Sequence, residues 1–353
     1  MNKTAMKHAP KSDSASKETV NESTAHIAHR ILRLILEQRR LLPNQEPVKF
    51  EAQIAPHLEK VQTFVDNQQP IVMVLPAFPA KSPNRNKTMS HLPDKGEFLA
   101  LENLVGLCQE IENIYTPGAK VIICSDGRVF ADIIHVKDEH VSEYVHELRR
   151  YAMHHYPDYF DFFNLEDVFT KIGAYDSLRE EMMIEFGETL QSLRKHIKEE
   201  RQASTMYLGI TRFMLEDFSG IDKLSHLSRT ALHKMARLTA YRVIQRSNAW
   251  SRLLQKHLPF ALRLSIHPQE LVSEKIGIYL ISKDDQWTTP WHAVLVKEKG
   301  QFRLMPKAEA VKRSFILVYD NGHPSHFETP PSSVTDPQTP YSRSQSTTGS
   351  VVR

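Results

Sequence analysis

The sequence predicts an α/β fold: a Rossmann-like, mostly parallel sheet flanked by helices, with a helical segment and a β-rich C-terminal part. Two apolar runs typical of buried strands lie at 71–75 and 121–124. Between them, apolar side chains recur at helical spacing over 97–115. A strand, a helix and a strand within about fifty residues form a βαβ unit, which indicates a parallel sheet.

The other elements follow from the same spacing rules. A first helix is predicted over 26–40 and ends before Leu-Pro-Asn at 42–44. Helices are also predicted over 139–155 and 176–201. A long helix is predicted over 222–257, with an inner face of Leu224, Leu227, Ala231, Met235 and Leu238. Strands arranged as antiparallel hairpins are predicted over 261–266, 276–281, 291–296 and 315–319.

Composition separates the two ends of the chain from its middle. Residues 1–25 contain no aromatic side chain, and 328–353 are rich in Ser, Thr and Pro. Neither segment can bury enough apolar surface to offset the entropy of ordering, so both are predicted to be disordered tails. Residues 26–327 are predicted to form one domain.

Charge and cysteine content exclude several classes of protein. The 45 Lys and Arg residues nearly balance the 42 Asp and Glu residues, which disfavours a nucleic-acid partner. No apolar run approaches the roughly 20 residues of a membrane-spanning helix, and no signal-peptide pattern is visible. The two cysteines, Cys108 and Cys124, are too few for a disulfide framework. We therefore expect a cytoplasmic protein that does not bind a membrane.

Polar loops follow the two strands of the βαβ unit, at the edge where open α/β sheets bind ligands. The first loop carries Phe78, Lys81, Ser82 and Lys87, and the second carries Ser125, Asp126 and Arg128. Cations with hydroxyl and carboxylate groups suit a small anionic, polyhydroxylated ligand. The alternative is that these Pro-rich and Asp-Gly loops are turns with solvated charges.

The long helix contributes a second cationic feature. Residues 223–269 contain nine Lys or Arg and no Asp or Glu. His233, Arg237 and Tyr241 are spaced to share one helix face. Three interpretations stay open for this face: one wall of a phosphate pocket, a nucleic-acid stripe, or a set of cations paired with acids elsewhere, such as the acidic segment 180–200. No histidine or cysteine spacing is typical of a metal site, so no metal is predicted.

Five blocks of sequence resemble the isocyanide synthases, the pyoverdine/dityrosine biosynthesis proteins. The blocks are LPAFPAKSPN at 75–84, LPDKGEFLALENL at 92–104, IYTPGAKVIICSDGRVFAD at 114–132, RLSIHP at 263–268 and TPWHAV at 289–294. They occur in order across 27–325. The resemblance implies a Rossmann-like fold, a catalytic role for the domain 26–327 and no metal or organic cofactor.

The resemblance also implies a reaction. The α-amine of an amino acid, chiefly tyrosine or tryptophan, would condense with the C2 ketone of ribulose 5-phosphate. That sugar carbon would become the terminal carbon of an isonitrile. An iron/2-oxoglutarate oxygenase of the same pathway is the partner that this assignment implies. Two alternatives stay open: a phosphosugar aldolase or transferase that uses a Schiff-base lysine, and a non-catalytic binder of a phosphate ligand or nucleic acid.

The chemistry assigns a role to each candidate residue. We expect four cations to bind the phosphate or to act near the imine: Lys81, Lys87, Arg237 and Arg263. Sugar hydroxyls or the amino-acid head group would contact Ser82, Ser125, Asp126 and Arg128, and Tyr241 would line the pocket. Proton transfer falls to His267 and His292, with Asp126 as a base. Phe78 and Trp291 would pack on an aromatic substrate. Replacement of Lys81 or His267 by Ala is expected to abolish activity without changing the melting temperature.

Overall fold

A five-stranded parallel sheet forms the centre of the protein in the computed structural model, which describes residues 13–170, 172–283 and 288–330. Its strands are β1 (Ile71–Pro76), β2 (Ala119–Cys124), β3 (Phe160–Phe163), β4 (Leu262–Ser265) and β5 (Lys275–Gly277). The spatial order is β3-β2-β1-β4-β5, and every pair is parallel. The direction of winding therefore reverses at β1, which makes the crevice beyond the carboxyl ends of β1 and β4 the topological switch point.

Helices cover both faces of this sheet. One face packs against α1 (Asp13–Glu37), α2 (Phe50–Asp66), α3 (Lys95–Glu112) and α5 (Asp138–His155). The other packs against α6 (Asp176–Phe186) and the C-terminal half of α9 (Arg229–His257). The short helix α4 (Gly127–Phe130) directly follows β2. Burial on both faces explains why β1 and β2 read as continuous apolar runs in the sequence.

A helical segment lies between the two halves of the sheet in sequence. It consists of α7 (Leu190–Glu199), α8 (Arg201–Phe218) and the N-terminal half of α9. Two small apolar clusters hold it together, one around Tyr207 and Ile244 and the other around Phe218 and Leu232. The C-terminal end of α8 contacts the loop after β1, where the Asn84 side chain donates to the Glu216 carbonyl at 3.1 Å.

The C-terminal part forms a separate four-stranded sheet. Its elements are β6 (Val294–Glu298), β7 (Gln301–Met305), α10 (Lys307–Lys312), β8 (Ile316–Asp320) and β9 (His323–Glu328). The strand order is β7-β6-β9-β8. Two hairpin pairs are antiparallel, whereas β6 and β9 are parallel. The predicted β-rich C-terminal part is confirmed, and the short helix Pro290–His292 connects it to the central sheet.

Three predictions about these elements were wrong in detail. The strands near 261–266 and 276–281 are β4 and β5, which pair in parallel within the central sheet. The predicted helix over 176–201 is interrupted after Phe186, where Gly187 adopts extended backbone. The first helix begins at Asp13 rather than at 26, inside the predicted N-terminal tail.

The inner face of the long helix was also predicted incorrectly. Leu238 is 51% exposed, whereas Leu232, Ala236 and Ala240 are buried. The helix begins at Arg229, after the Ser228 cap, and packs against α8 along one half and against the sheet along the other. Because two different neighbours define its buried side, a single apolar stripe does not describe it.

The described residues leave the predicted tails largely untested. Residues 1–12 and 331–353 lie outside them, so the domain boundaries stay predictions. Within the described part, no helix is both long enough and apolar enough to cross a bilayer. Both cysteines are buried free thiols, and burial raises the pKa of Cys124, which disfavours a nucleophilic role.

The two loops after β1 and β2 touch at the carboxyl edge of the sheet, as the sequence predicts. The Ser125 hydroxyl donates to the Phe78 carbonyl at 3.0 Å. Gly127 lies so close to the first loop that a Cβ atom there would be 1.8 Å from the carbonyl oxygen of Pro79. Glycine is therefore required for this contact between the loops.

We expect Gly127→Ala to destabilise the protein by roughly 2–4 kcal/mol, because the methyl group would collide with backbone that cannot move freely. The matched control is Gly106→Ala in α3, where a Cβ meets no atom within 4 Å. The control should raise stability by about 0.5–1 kcal/mol, since glycine is a poor helix former. Urea denaturation measures both, and equal effects in the two variants would contradict the close packing.

Candidate active site

Phe78 begins the site at the carboxyl end of β1. Its φ is +57°, a backbone conformation that costs free energy for a bulky side chain. The side chain is fully buried and contacts the Trp291 ring at 5.2 Å between centroids. The backbone amide of Ser82 also donates to the Trp291 carbonyl at 2.8 Å. The loop after β1 is thereby fixed to the segment before β6, and Phe78 and Trp291 lie side by side; that they pack on a substrate stays a prediction.

Asp126 lies two residues beyond β2, and its carboxylate is unusual. The Oδ1 atom is buried and has no hydrogen-bond partner among the described residues. Burial raises the pKa of Asp126 to about 7, because desolvation disfavours the charged form. A carboxyl group in this state can release and take up a proton near neutral pH, which suits general acid–base chemistry.

Two histidines stand at the same end of the molecule. His267 follows β4, and His292 follows Pro290 and Trp291, with its Nδ1 3.1 Å from the Thr289 hydroxyl. The surrounding protein, together with Arg40 and Lys275, lowers the pKa of His267 to about 4, although its ring is reachable from solvent. Burial lowers the pKa of His292 to about 4 as well, and the positive charge of Lys87 contributes. Both imidazoles are therefore neutral near pH 7 and able to accept a proton.

Helix α8 supplies an acidic residue that the sequence analysis missed. The Asp217 carboxylate is buried, accepts a hydrogen bond from the Ser82 hydroxyl at 3.1 Å and lies 3.0 Å from the Lys87 ammonium. Lys87 also pairs with Glu216 at 3.1 Å and lies over the Phe213 ring at 4.5 Å. Phe213 in turn meets the His292 ring edge-on at 4.8 Å. Ser82 and Lys87 are therefore tied to α8 beside His292.

Lys81 lies in a fully buried ion cluster. Its ammonium is 2.7 Å from Asp94 and 2.8 Å from Glu97, and it donates to the Pro290 carbonyl at 3.0 Å. The two carboxylates raise the pKa of Lys81 despite its burial. Burial raises the pKa of Glu97 to about 7, since two acids share one cation. All three ammonium protons have acceptors, so Lys81 positions the site rather than contacting a substrate.

The Arg128 guanidinium is also fully engaged by the protein. It contacts Glu166 at 2.7 Å, Asp138 at 2.8 Å and Ser142 at 2.8 Å, and it lies 3.6 Å from the centroid of the Tyr175 ring. These partners point it away from the loop after β1. The prediction that Arg128 binds sugar hydroxyls is not supported by this geometry; its side chain anchors the loop after β2.

The cations of the long helix divide into two groups. Arg246, Arg252 and Lys256 pair with Asp132, Glu188 and Glu185, so the pairing alternative holds for them. Arg237 is exposed and donates to the Tyr207 hydroxyl at 3.4 Å, and Tyr241 packs on Tyr207. Arg237 and Tyr241 thus belong to the helical segment, and the geometry does not support their predicted place in a substrate pocket. Arg263 lies on β4 against α9.

The sequence analysis did not name Asp94, Glu97 or Asp217 as site residues, and the three differ in whether a local sequence pattern marks them. Asp94 and Glu97 form a capping box at the start of α3, a local pattern that could have identified them. Asp217 lies within a helix and carries no such signal. Among residues 13–170, 172–283 and 288–330, no group of three or more His, Cys, Asp or Glu side chains is placed to hold a metal ion. The expected independence from cofactors stays a prediction.

The fold and the site together define an enzyme of the Rossmann-like α/β class, with titratable side chains gathered at the switch point of a parallel sheet. Residues 61–318 match the family of pyoverdine/dityrosine biosynthesis proteins. This match spans more than half of the 353 residues, and the chain belongs to that family. The resemblance found in the sequence is thereby confirmed.

Known relatives agree with this assignment. The L-tryptophan isonitrile synthase AmbI2 of Fischerella ambigua is 43% identical over 304 residues, which cover 85% of this chain and 91% of that protein. An L-tyrosine isonitrile synthase of Pseudomonas aeruginosa is 40% identical over 309 residues, covering 85% and 94%. The crystal structure of the PvcA protein from Pseudomonas aeruginosa superposes with a TM-score of 0.80 at 38% identity, covering 86% of this chain and 99% of that one. The predicted fold class is confirmed.

The burial of Lys81 between two carboxylates weighs against the expectation that its loss leaves the melting temperature unchanged. We expect Lys81→Met to lower the free energy of unfolding by roughly 3–5 kcal/mol, because two buried carboxylates lose their cation. Lys120→Met is the control: its ion pair with Asp161 is partly exposed and should be worth less than about 1 kcal/mol. Thermal denaturation compares the two, and a Lys81→Met variant as stable as the control would contradict the cluster.

The pH dependence of the stability of Asp126→Asn, compared with the wild type, tests whether the pKa of the Asp126 carboxyl group is raised. The folded-state pKa lies above the ordinary value of 3.8, so the wild type loses stability as pH rises from about 4 to about 7. The amide removes this loss. We expect the variant to exceed the wild type in stability by roughly 1–3 kcal/mol at pH 8, by much less at pH 4, and to be inactive throughout. Asp161→Asn, an exposed control, should show no such gain, and a pH-independent difference for Asp126→Asn would exclude the raised pKa.

Proposed function

We propose that this protein is an isonitrile synthase that converts the α-amino group of L-tryptophan or L-tyrosine, with C2 of ribulose 5-phosphate as the source of the isonitrile carbon. The observation that carries this proposal is the buried Oδ1 atom of Asp126, which has no hydrogen-bond partner among the described residues, at the sheet edge that also holds two neutral histidines. The amino acids come from the named activities of relatives at 43% and 40% identity.

The acid–base groups suit condensation of an amine with a ketone. The amine attacks the C2 carbonyl, and the carbinolamine loses one water to give an imine. His292 or His267, neutral at pH 7, would accept the proton that the ammonium group must lose before attack. Asp126 would act as the acid when water leaves and as the base when a sugar proton is removed, since a pKa of about 7 serves both directions.

Aromatic side chains around the crevice favour an aromatic amino acid. The Phe78 and Trp291 rings are 5.2 Å apart at the end of β1, and Phe213 of α8 contacts both His292 and Lys87. An indole or phenol packed beside Phe213 would exclude water from the histidines. The sugar would then lie toward β4, where cations line the sheet. A cytoplasmic location and a downstream iron/2-oxoglutarate oxygenase complete the proposal.

The structure weighs against the alternative of a Schiff-base enzyme built on Lys81. A Schiff-base lysine must lose its proton to attack a carbonyl. The pKa of Lys81 is instead raised by Asp94 and Glu97, and its ammonium is fully buried. A non-catalytic phosphate binder would have no need of Asp126 or the neutral histidines.

An amino-acid panel incubated with ribulose 5-phosphate tests the proposal. We expect an isonitrile acid from tryptophan or tyrosine, detected by mass spectrometry and by the isonitrile infrared band, with 13C from C2-labelled sugar in the new group. His292→Gln should lower kcat about 100-fold or more by removing a proton acceptor, and Asp126→Asn should abolish product. Borohydride trapping of a sugar–protein adduct, or turnover without the sugar, would contradict the proposed isonitrile synthase reaction.

A further inference from the structure

Two cations of the central sheet have no carboxylate within ion-pair distance in the part of the chain that the structure describes. Arg263 of β4 and Lys275 of β5 are directly opposed Cα partners in the parallel ladder. Their strand neighbours Leu262, Leu264 and Ile276 point into the core on the side of α1 to α3. Because side chains alternate along a strand, Arg263 and Lys275 both face the side covered by α9. The Arg263 Nη2 atom donates to the Ser251 hydroxyl of α9 at 2.5 Å, which agrees with this orientation.

This pair differs from the other cations near the switch point. Lys81, Lys87 and Arg128 each contact two carboxylates. Arg263 and Lys275 are both half-buried, and the Ser251 hydroxyl is the nearest partner that the structure gives to either charged group. Like charges at opposed positions of a sheet are unfavourable, and partial burial increases their cost. Such a pair is expected where an anionic ligand supplies the missing charge.

The charges around the pair leave the region positive. Burial lowers the pKa of Lys275, and Arg263 contributes to this shift. Lys60 belongs to α2 on the opposite face of the sheet, where its ammonium donates to the Ala261 carbonyl at 3.2 Å, and the charge of Arg263 contributes to lowering its pKa. Glu274, which is exposed, opposes them with one negative charge. The two cations on the α9 side and the one exposed acid leave a net positive charge, which suits an anion.

The pair also connects to the proposed catalytic groups. Lys275 is close enough to His267 to contribute to lowering the pKa of His267. A positive charge on His267 would in turn contribute to lowering the pKa of His292. His267 lies two residues beyond Ser265, the last residue of β4, so the strand that carries Arg263 leads to a candidate acid–base group at its carboxyl end. A ligand held at one end by Arg263 and Lys275 would extend toward the histidines at the carboxyl end of β4. A sugar phosphate has this polarity, with its anion at one end and its reactive carbonyl near the other.

We propose that Arg263 and Lys275 form the subsite that binds the phosphate group of the sugar substrate, with Ser251 orienting the guanidinium. A planar guanidinium and a point charge together satisfy a phosphate dianion better than the single charge of an amino-acid carboxylate. The inference rests on the proposed function, because that function supplies the sugar phosphate. The sequence analysis assigned phosphate binding to Lys81, Lys87, Arg237 and Arg263, and the present inference keeps only Arg263 from that set. Carboxylates engage Lys81 and Lys87, and Arg237 is exposed on the helical segment.

Lys275→Met and Arg263→Met remove each charge while keeping much of the side-chain volume. We expect each to raise KM for ribulose 5-phosphate about 10- to 100-fold, the usual cost of a charge-assisted hydrogen bond, while KM for the amino acid stays unchanged. Inorganic phosphate should inhibit the wild type competitively with the sugar and should inhibit both variants less. Lys256→Met is the control, because Lys256 pairs with Glu185 on the exposed side of α9.

The outcomes separate this inference from the proposed function. An unchanged KM for the sugar in both variants, or a rise in KM for the amino acid instead, overturns the phosphate subsite while the isonitrile activity stands. If the wild type makes no isonitrile, titration with inorganic phosphate followed by 31P NMR decides the subsite independently. Binding that is lost in Lys275→Met and kept in Lys256→Met supports it, and equal binding in all three proteins overturns it. Thermal denaturation of Arg263→Met identifies a folding defect, in which case Lys275→Met carries the test.

Discussion

The buried ammonium of Lys81 is the interaction on which the candidate site depends. It joins the loop after β1 to the start of α3 and to the carbonyl of Pro290. Two carboxylates share this one cation away from water, where electrostatic interactions are strong and an unpaired charge is costly. His292 follows Pro290 by two residues, so the ion cluster also fixes where that imidazole stands. Lys81, which does not itself contact the reacting atoms in this proposal, thereby positions His292, which is proposed to contact them.

Cations near the crevice fall into two groups according to their partners. Lys87 and Arg128 have carboxylates within 3.1 Å and hold loops against helices. Arg263 and Lys275 have no such partners in the described part of the chain, and both face the same side of the sheet. Paired charges are satisfied by folding itself, whereas an unpaired, half-buried charge lowers stability until a ligand arrives. The distribution of acids, more than the number of cations, therefore separates structural from ligand-binding groups.

Loss of contact with water sets much of the protonation state of the proposed catalytic groups. Burial disfavours a charge of either sign, so it raises the pKa of Asp126 to about 7 and lowers that of His292 to about 4. The pKa of His267, whose ring is reachable from solvent, is lowered by the surrounding protein together with the positive charges of Arg40 and Lys275. The carboxyl group becomes a usable acid, and both imidazoles stay neutral bases at the same pH. The left-handed backbone of Phe78 and the tight contact at Gly127 maintain the packing that produces this burial.

The sequence by itself determined the β1–α3–β2 unit, the edge where its loops meet and the family, because strand and helix periods and long motifs are local properties of the chain. It also proposed Asp126, His267 and His292 as candidate catalytic residues, because they follow or adjoin predicted strands. Tertiary structure alone decided that β4 and β5 pair in parallel, that Asp217 engages Lys87, and that Lys275 has no carboxylate within ion-pair distance among the described residues. The partner of a charged side chain is set by how distant elements pack, and no spacing along the chain encodes that distance.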